Sequence, residues 1–364
     1  MRRQPEGETR YGASHRGYEV ALTAWHEPRY RVDQVWRWLY ETRRPLEECT
    51  TLGRDLRRRL ADSFPCQLAP RLEQSDGDTS KWLFSTRDDV QVETVLMRSP
   101  TRATVCISSQ AGCAMGCTFC ATGQAGFERH LDAGEMVEQV ATAMHASVQR
   151  VSNVVFMGMG EPLANYDATW AAVERLHDDF ALSARHITIS TVGVVPGMRR
   201  LAEERLPVTL AVSLHAADDE LRSRLVPLND RYPIAQVLDA AADYAGATGR
   251  RVSFEYALIA GVNDRRDQAD ALGRLLRAYP GVGGAHLNLI PLNPTTGFGG
   301  HASTRRSSAG FAARVESHGI SATIRRNRGA SIDAACGQLR SREAVSPSMS
   351  AAGHNGDAPA EETP

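Results

Sequence analysis

Lysine is almost absent from this chain: of its 42 lysine and arginine residues, only Lys81 is a lysine. Arginine suits planar, bidentate contacts to phosphates and bases, although a codon bias of the genome would leave the same pattern. No apolar run reaches the length of a membrane span. Residues 1–20 (MRRQPEGETRYGASHRGYEV) carry charge but no apolar stretch of the kind a secretory signal needs. The expected location is therefore the cytoplasm, with no membrane partner. The net charge of −1 excludes a protein that attracts nucleic acid through global charge; a local patch would still suffice for phosphate contacts. There is no internal repeat. Seven cysteines, an odd number in a long chain without an export signal, argue against a disulfide framework, so clustered cysteines point to metal or redox chemistry.

What is present fits a large core. The 364 residues are 42% hydrophobic and 23% charged, which suits one big domain plus a small one. Residues 1–20 are polar and expected to be loose. Residues 29–64 read as helical, with Val35, Leu39, Leu52, Leu56 and Leu60 at helical spacing. Arg54, Arg57, Arg58 and Arg59 fall on the other side, either a solvated face or an RNA-facing patch. Residues 80–98 read as a hairpin. Beyond residue 101, β-rich runs recur at 104–108, 153–158, 186–191, 208–214, 251–258 and 286–291, with helical stretches such as Gly134–Val148, Ile234–Thr248 and Asp264–Ala278 between them. This alternation implies an α/β fold with parallel strands, either an open partial barrel or a doubly wound sheet. In both, chemistry belongs at the C-terminal ends of the strands. Residues 343–364 have the composition of a disordered tail.

Directly after the first of these strands comes CAMGCTFC, carrying Cys113, Cys117 and Cys120. Iron–sulfur clusters normally take four cysteines. Three thiolates on one loop hold three irons of a four-iron cluster and leave the fourth open. That open iron is what binding and reducing S-adenosylmethionine (SAM) requires. Gly112 and Gly116 let the loop turn tightly. Zinc is the competing reading, with His130 as a fourth ligand, but zinc sites usually carry a second ligand pair and no second cysteine pair exists.

Two further cysteines have context. Cys106 lies seven residues before Cys113, on the strand feeding the loop. Cys336 sits in Ala-Ala-Cys-Gly, where small neighbours leave a thiol approachable. Each is either a small core residue or a nucleophile able to carry a group covalently. Cys49 and Cys66 read as structural. Polar groups gather at the ends of four units: Gly160-Glu161-Pro162, Ser190, Ser213-Leu214-His215 and Asn293. Glu93 lies in the hairpin between apolar residues. Arg325, Arg326 and Arg328 precede the Cys336 segment, placed either to hold phosphates or on a solvated edge.

The cysteine motif, GEP, SLH, NLIPLNP and AACGQL together resemble the RlmN/Cfr family of radical SAM RNA adenine methyltransferases, from about Tyr30 to Leu339. The resemblance implies a partial (β/α)6 radical SAM barrel with a small helical N-terminal domain. It divides the chain into a loose start (1–20), an RNA-contacting helical domain with the hairpin (21–98), the core with a methyl-carrying segment (99–342) and the tail (343–364). It implies that Cys113, Cys117 and Cys120 hold a [4Fe–4S] cluster. Gly160, Glu161, Ser190, Ser213, Leu214, His215 and Asn293 would contact SAM, used twice per turnover. Glu93 matches the proton acceptor, Cys336 the methyl-carrying cysteine, and Cys106 the cysteine that resolves the covalent intermediate through a disulfide. The implied partners are 23S rRNA and tRNA, with a low-potential electron donor such as flavodoxin; the implied state is a monomer. Ser331 departs from the pattern where the family usually has an acid. The alternatives are methylation at carbon 8 rather than carbon 2, a radical SAM enzyme acting on protein or small molecules, and a zinc- and RNA-binding module.

Overall fold

The computed structural model describes residues 8–279, 284–325 and 329–339. The tail 343–364, Arg326 and Arg328 lie outside the described residues. Three helices open the chain: α1 (His15–Ala24), α2 (Tyr30–Arg37) and α3 (Arg54–Ser63). The first corrects, over residues 15–20, the expectation of a loose start; residues 1–7 lie outside the described residues. Ser14 caps it, its Oγ accepting from the Gly17 N–H at 3.0 Å, and Tyr18 and Leu22 are buried along one face. The stretch read as helical over 29–64 is broken, because Arg43 takes a left-handed conformation and Pro45 follows. Arg54, Arg58 and Arg59 are exposed, Arg58 pairs with Asp55, and Arg59 lies over the Trp25 ring at 4.4 Å.

Four antiparallel strands follow, β1 (Leu68–Asp76), β2 (Thr79–Thr86), β3 (Gln91–Ser99) and β4 (Arg102–Cys106). The hairpin expected over 80–98 is β2–β3, with Ser80 opposite Leu96. A short pair, β5 (Gln110–Gly112) and β6 (Phe127–His130), brackets helix α4 (Ala121–Ala125). Then helices and strands alternate: α5 (Ala133–Ala146), β7 (Val151–Phe156), α6 (Tyr166–Asp178), β8 (Ile187–Thr191), α7 (Val195–Ala202), β9 (Thr209–Ser213), α8 (Asp219–Leu225), α9 (Ile234–Thr248), β10 (Ser253–Leu258), α10 (Arg266–Ala278), β11 (His286–Pro291), α11 (Arg305–Glu316) and β12 (Ser321–Ile324).

One ten-stranded sheet runs β1-β2-β3-β4-β7-β8-β9-β10-β11-β12. The antiparallel strands extend the parallel ones, so a boundary at 98/99 falls within a continuous sheet. The six expected parallel strands all form. A seventh, β12, pairs parallel with β11; its four residues, SATI, were too short a run to announce a strand.

The strands alternate cleanly. Val105, Val154, Leu210, Phe254 and Leu287 face outward and are fully buried beneath the helices. Thr104, Asn153, Thr188, Thr209, Ser253, Asn288 and Thr323 line a single cavity of about 530 Å³. A flat sheet cannot bring seven strands to one cavity, so this sheet curls into an open, partial barrel. Closed (β/α)8 barrels fill this space with branched apolar side chains; here hydroxyls and amides leave the interior polar. Residues 329–339 lie across the antiparallel side. Ala334 and Leu339 pack with Val95 and Cys106, and the Ser331 hydroxyl donates to Asp76. An acid at position 331 would face that carboxylate, so serine is consistent with its neighbour. Among the described residues no helix is long and apolar enough to cross a membrane.

Candidate active site

The cysteine loop hangs between β5 and α4. Gly112 (φ +71°) approaches Gly126 so closely that a Cβ would lie 2.0 Å from its carbonyl oxygen, which only glycine avoids. Cys117 is buried against Leu221, Leu225 and Val226; Cys113 and Cys120 are half-buried. All three line a cavity of about 170 Å³ at the C-terminal ends of the strands. Burial pushes the Cys113 thiol up to about 12 and raises that of Cys117. Thiolates are therefore unfavourable here until a metal compensates them. Among the described residues no three His, Cys, Asp or Glu side chains converge as on one ion. His130 faces Gln110 instead, 3.0 Å from its amide nitrogen, and does not line the cavity.

The structure brings most of the other expected residues to the same cavity: Gly160, Glu161, Ser190, Ser213, His215 and Asn293 all line it, whereas Leu214 is fully buried behind it. Glu161 is already engaged. Its Oε1 accepts from Leu163 N–H at 3.0 Å and its Oε2 from Val192 N–H at 2.8 Å. Burial pushes this carboxyl up to about 7, against those hydrogen bonds. His215 accepts the Ala257 N–H at Nδ1 (3.0 Å). Burial, with Arg222 nearby, holds it down to about 3, so it is neutral and carries its proton on Nε2. Asn293 donates to the carbonyl of Cys336 at 3.0 Å, and its buried Oδ1 has no partner.

Cys336 lies at the junction of the two cavities. It lines both, whereas Cys106 lines only the larger one. The two residues are 230 positions apart in the chain, yet they share a chamber wall. Cys336 is ringed by protein, but its thiol is open to the chamber. The backbone just after it is pinned, since Ala121 N–H donates to Gly337 O (2.7 Å) and Thr122 Oγ1 to Leu339 O (2.5 Å). All seven cysteines are free, and no disulfide joins Cys106 to Cys336. Cys49 is buried as expected; Cys66 is exposed. Glu93 is buried and forms an ion pair with Lys81 at 3.0 Å, outside the walls of both cavities.

Residues 107–271 match the family model "Radical SAM superfamily". Relatives from Parafrankia sp. (strain EAN1pec) and Chloroflexus aurantiacus, each named "Probable dual-specificity RNA methyltransferase RlmN", are 51% and 50% identical. The first match covers 87% of this chain and 88% of the relative, the second 89% and 90%. The chain belongs to the RlmN family. The crystal structure of a radical SAM methyltransferase from Sphaerobacter thermophilus superposes with a TM-score of 0.87 at 46% identity, covering 92% of this chain and all of that one. The protein is thus a radical SAM RNA methyltransferase with the radical SAM α/β fold. That family implies a [4Fe–4S] cluster and SAM. The residues fit: three thiols on one loop, and an unpartnered buried acceptor, Asn293 Oδ1, in the same cavity wall.

Seen as an RlmN-type site, the cavity is backed and lined by groups that motif reading passed over. Arg222, on α8, is fully buried. It donates to the carbonyls of Val192 (2.6 Å), Ser213 (3.1 Å) and Leu214 (3.1 Å), and to Asn229 Oδ1 (2.7 Å). Burial draws it down to about 10, so it stays charged at neutral pH. The Val192 peptide is thereby clamped between Glu161 at its N–H and Arg222 at its carbonyl, which fixes the strand ends that form the cavity wall. The signal was in DELRSRLV, where Arg222 shares a helix face with Leu225 and Val226. Arg222→Met is expected to destabilise the cluster-free protein by about 3 kcal/mol or more, because several carbonyls lose their donor together; urea denaturation checks this.

Arg325 lines both cavities beside Cys336, 3.7 Å from Glu255. Glu255 Oε1 in turn accepts from Asn288 (2.8 Å) and Ser253 (3.1 Å). A carboxylate inside a strand buried on both faces was its sequence signal.

Proposed function

We propose that this enzyme methylates carbon 2 of an adenosine in 23S rRNA, and in tRNA, through a methyl group carried on Cys336. The observation that supports this most is the position of Cys336, open to the cavity of the cluster cysteines on one side and to the chamber shared with Cys106 on the other. When bound at Cys113, Cys117, Cys120 and the wall from Gly160 to Asn293, the cluster and two SAM molecules per turnover supply the methyl group and the one-electron chemistry that an unreactive ring carbon needs.

The protein supplies the rest. Cys336 takes the methyl on its sulfur. Once that methyl has given a hydrogen atom to the radical that the second SAM would supply, its carbon adds to the ring, leaving Cys336 and the base joined. The ring recovers aromaticity by losing one electron, which the iron–sulfur cluster would take back, and its C2 proton, which goes to Glu93. Cys106 then attacks the sulfur of Cys336. The carbon–sulfur bond breaks with its electron pair on carbon, which takes up a proton, and a Cys106–Cys336 disulfide remains. Asn293, Ala121 and Thr122 hold the carrier backbone during these exchanges, and the pinned strand ends fix the cavity wall. A low-potential donor such as flavodoxin, a cytoplasmic location and a monomeric state complete the reading.

Digestion of RNA from cells with and without the gene, followed by mass spectrometry, tests it. The expected result is loss of 2-methyladenosine from rRNA and tRNA. Loss of 8-methyladenosine instead would move the reaction to carbon 8, and unchanged RNA would overturn the proposal.

A further inference from the structure

The one lysine of the chain is buried. Removing Lys81 from the 42 lysine and arginine residues leaves 41 arginines, nearly all the positive charge, yet the cation opposite Glu93 is an ammonium. Lys81 Nζ lies 3.0 Å from Glu93 Oε1, and the side chains are 7% and 2% exposed. The same nitrogen approaches the carbonyl oxygen of Asp333 at 3.5 Å. Asp333 is in the left-handed region (φ +49°), at the turn three residues before Cys336. Lys81 thus stands between the hairpin that bears the base and the segment that bears the methyl carrier.

The strand register places this contact near the reacting sulfurs. On β3, Glu93 shares a face with Val95, two residues on; Val95 pairs with Cys106 across β3–β4 and packs with Cys106, Ala334 and Leu339. The main chain of Glu93 is also tied to the site, its carbonyl accepting from Ser108 Oγ at 2.6 Å. An ammonium suits this position. Its charge is compact and its three donors rotate freely, so one nitrogen can serve both a carboxylate and a carbonyl, unlike the fixed fork of a guanidinium.

We infer that Lys81 is a positioning residue for the methyl transfer. It holds the Glu93 carboxylate in place and in register with the Cys336 segment, so that the carboxylate meets the C2 proton of the base joined to Cys336. The step it serves is balanced: the C2–H bond breaks, the proton passes to the Glu93 carboxylate, and the electron pair restores the aromatic ring. The inference rests on the proposed roles of Glu93 and Cys336.

The test compares Lys81→Met, Lys81→Arg and Glu93→Gln with the wild-type holoenzyme. Mass spectrometry of the Cys336 peptide after incubation with SAM reports methyl loading. A denaturing gel with labelled RNA reports the covalent protein–RNA adduct. Both Lys81 variants are expected to load methyl within about twofold of wild type, because loading makes no use of the base. Decay of the adduct is expected to slow roughly a hundredfold in Lys81→Met, the scale of general-base catalysis, and about tenfold in Lys81→Arg, which keeps the charge but not its shape. Should Lys81→Met not fold, Lys81→Arg carries the test.

Adduct decay at the wild-type rate in both variants would overturn the inference. So would a parallel fall in methyl loading and product, which marks a purely structural role. Glu93→Gln separates the two layers. If it turns over normally, the role of Glu93 fails; if it accumulates adduct and the Lys81 variants do not, only the role of Lys81 fails.

Discussion

Cys336→Ala is expected to abolish methylation of RNA while the iron–sulfur cluster and its visible absorption survive. The loss should be on the order of a thousandfold or more, because a covalent route with its carrier removed has no partial substitute. The geometry explains why the damage stays local. The anchors around Cys336 engage its backbone: Asn293 binds the Cys336 carbonyl, Ala121 the Gly337 carbonyl and Thr122 the Leu339 carbonyl. Deleting the sulfur removes none of these contacts. The cluster cysteines sit on a separate loop, framed by β5 and α4. Iron and sulfide content, the absorption spectrum and cleavage of SAM by the reduced protein measure the first half of the prediction; transfer of labelled methyl to RNA measures the second. Methylated RNA from the variant at a rate near wild type would remove Cys336 from the mechanism.

For Cys106→Ala the expectation is the opposite kind of failure, in which the reaction starts and does not finish. The variant should load Cys336, attack RNA and stop at a covalent protein–RNA adduct, seen as a slow band on a denaturing gel that nuclease digestion collapses. Folding should be little affected, since the change removes one sulfur from a site packed by Val95, Met159, Ala334 and Leu339, a loss on the order of 1 kcal/mol. Burial pushes the wild-type Cys106 thiol up to about 12, with the neighbouring Cys336 adding to the rise. The resting group is thus a thiol, and the attacking thiolate becomes more abundant as pH rises. Adduct decay in the wild type should therefore accelerate with pH across the range in which the protein is folded. The same shift sets a stability trend. A folded value above the unfolded one, about 8.5 for a cysteine, means that its contribution is present below that value and lost as pH rises towards 12. Normal turnover without adduct in Cys106→Ala would sink its role as resolving thiol.

Much of the architecture could be read from local pattern. Each parallel strand alternates apolar and polar residues, as in Val105 beside Thr104 or Phe254 beside Ser253, and the six runs found this way all pair. What local pattern could not show was that the polar members face one shared chamber, because curvature belongs to the sheet and not to any strand. Helix α1 was hidden for a different reason: with Tyr18 and Leu22 as its buried residues, it has too narrow an apolar stripe to stand out among charges. Strand β12 was hidden by its length, and the continuity of the hairpin with the parallel sheet by the change in pairing sense at β4.

The site divides along the same line. Cys113, Cys117 and Cys120 fall within eight residues, so sequence alone determined a three-thiol loop, and the polar residues closing successive strands marked its wall. Tertiary structure decided which distant groups meet: Cys336 with Cys106, Arg222 at two strand ends, Arg325 turned inward to Glu255, and Lys81 between Glu93 and Asp333. Spacing along a chain limits what nearby residues can reach, but contact between remote ones depends on how the sheet curls and where the last segment lies, and no local run of residues encodes that.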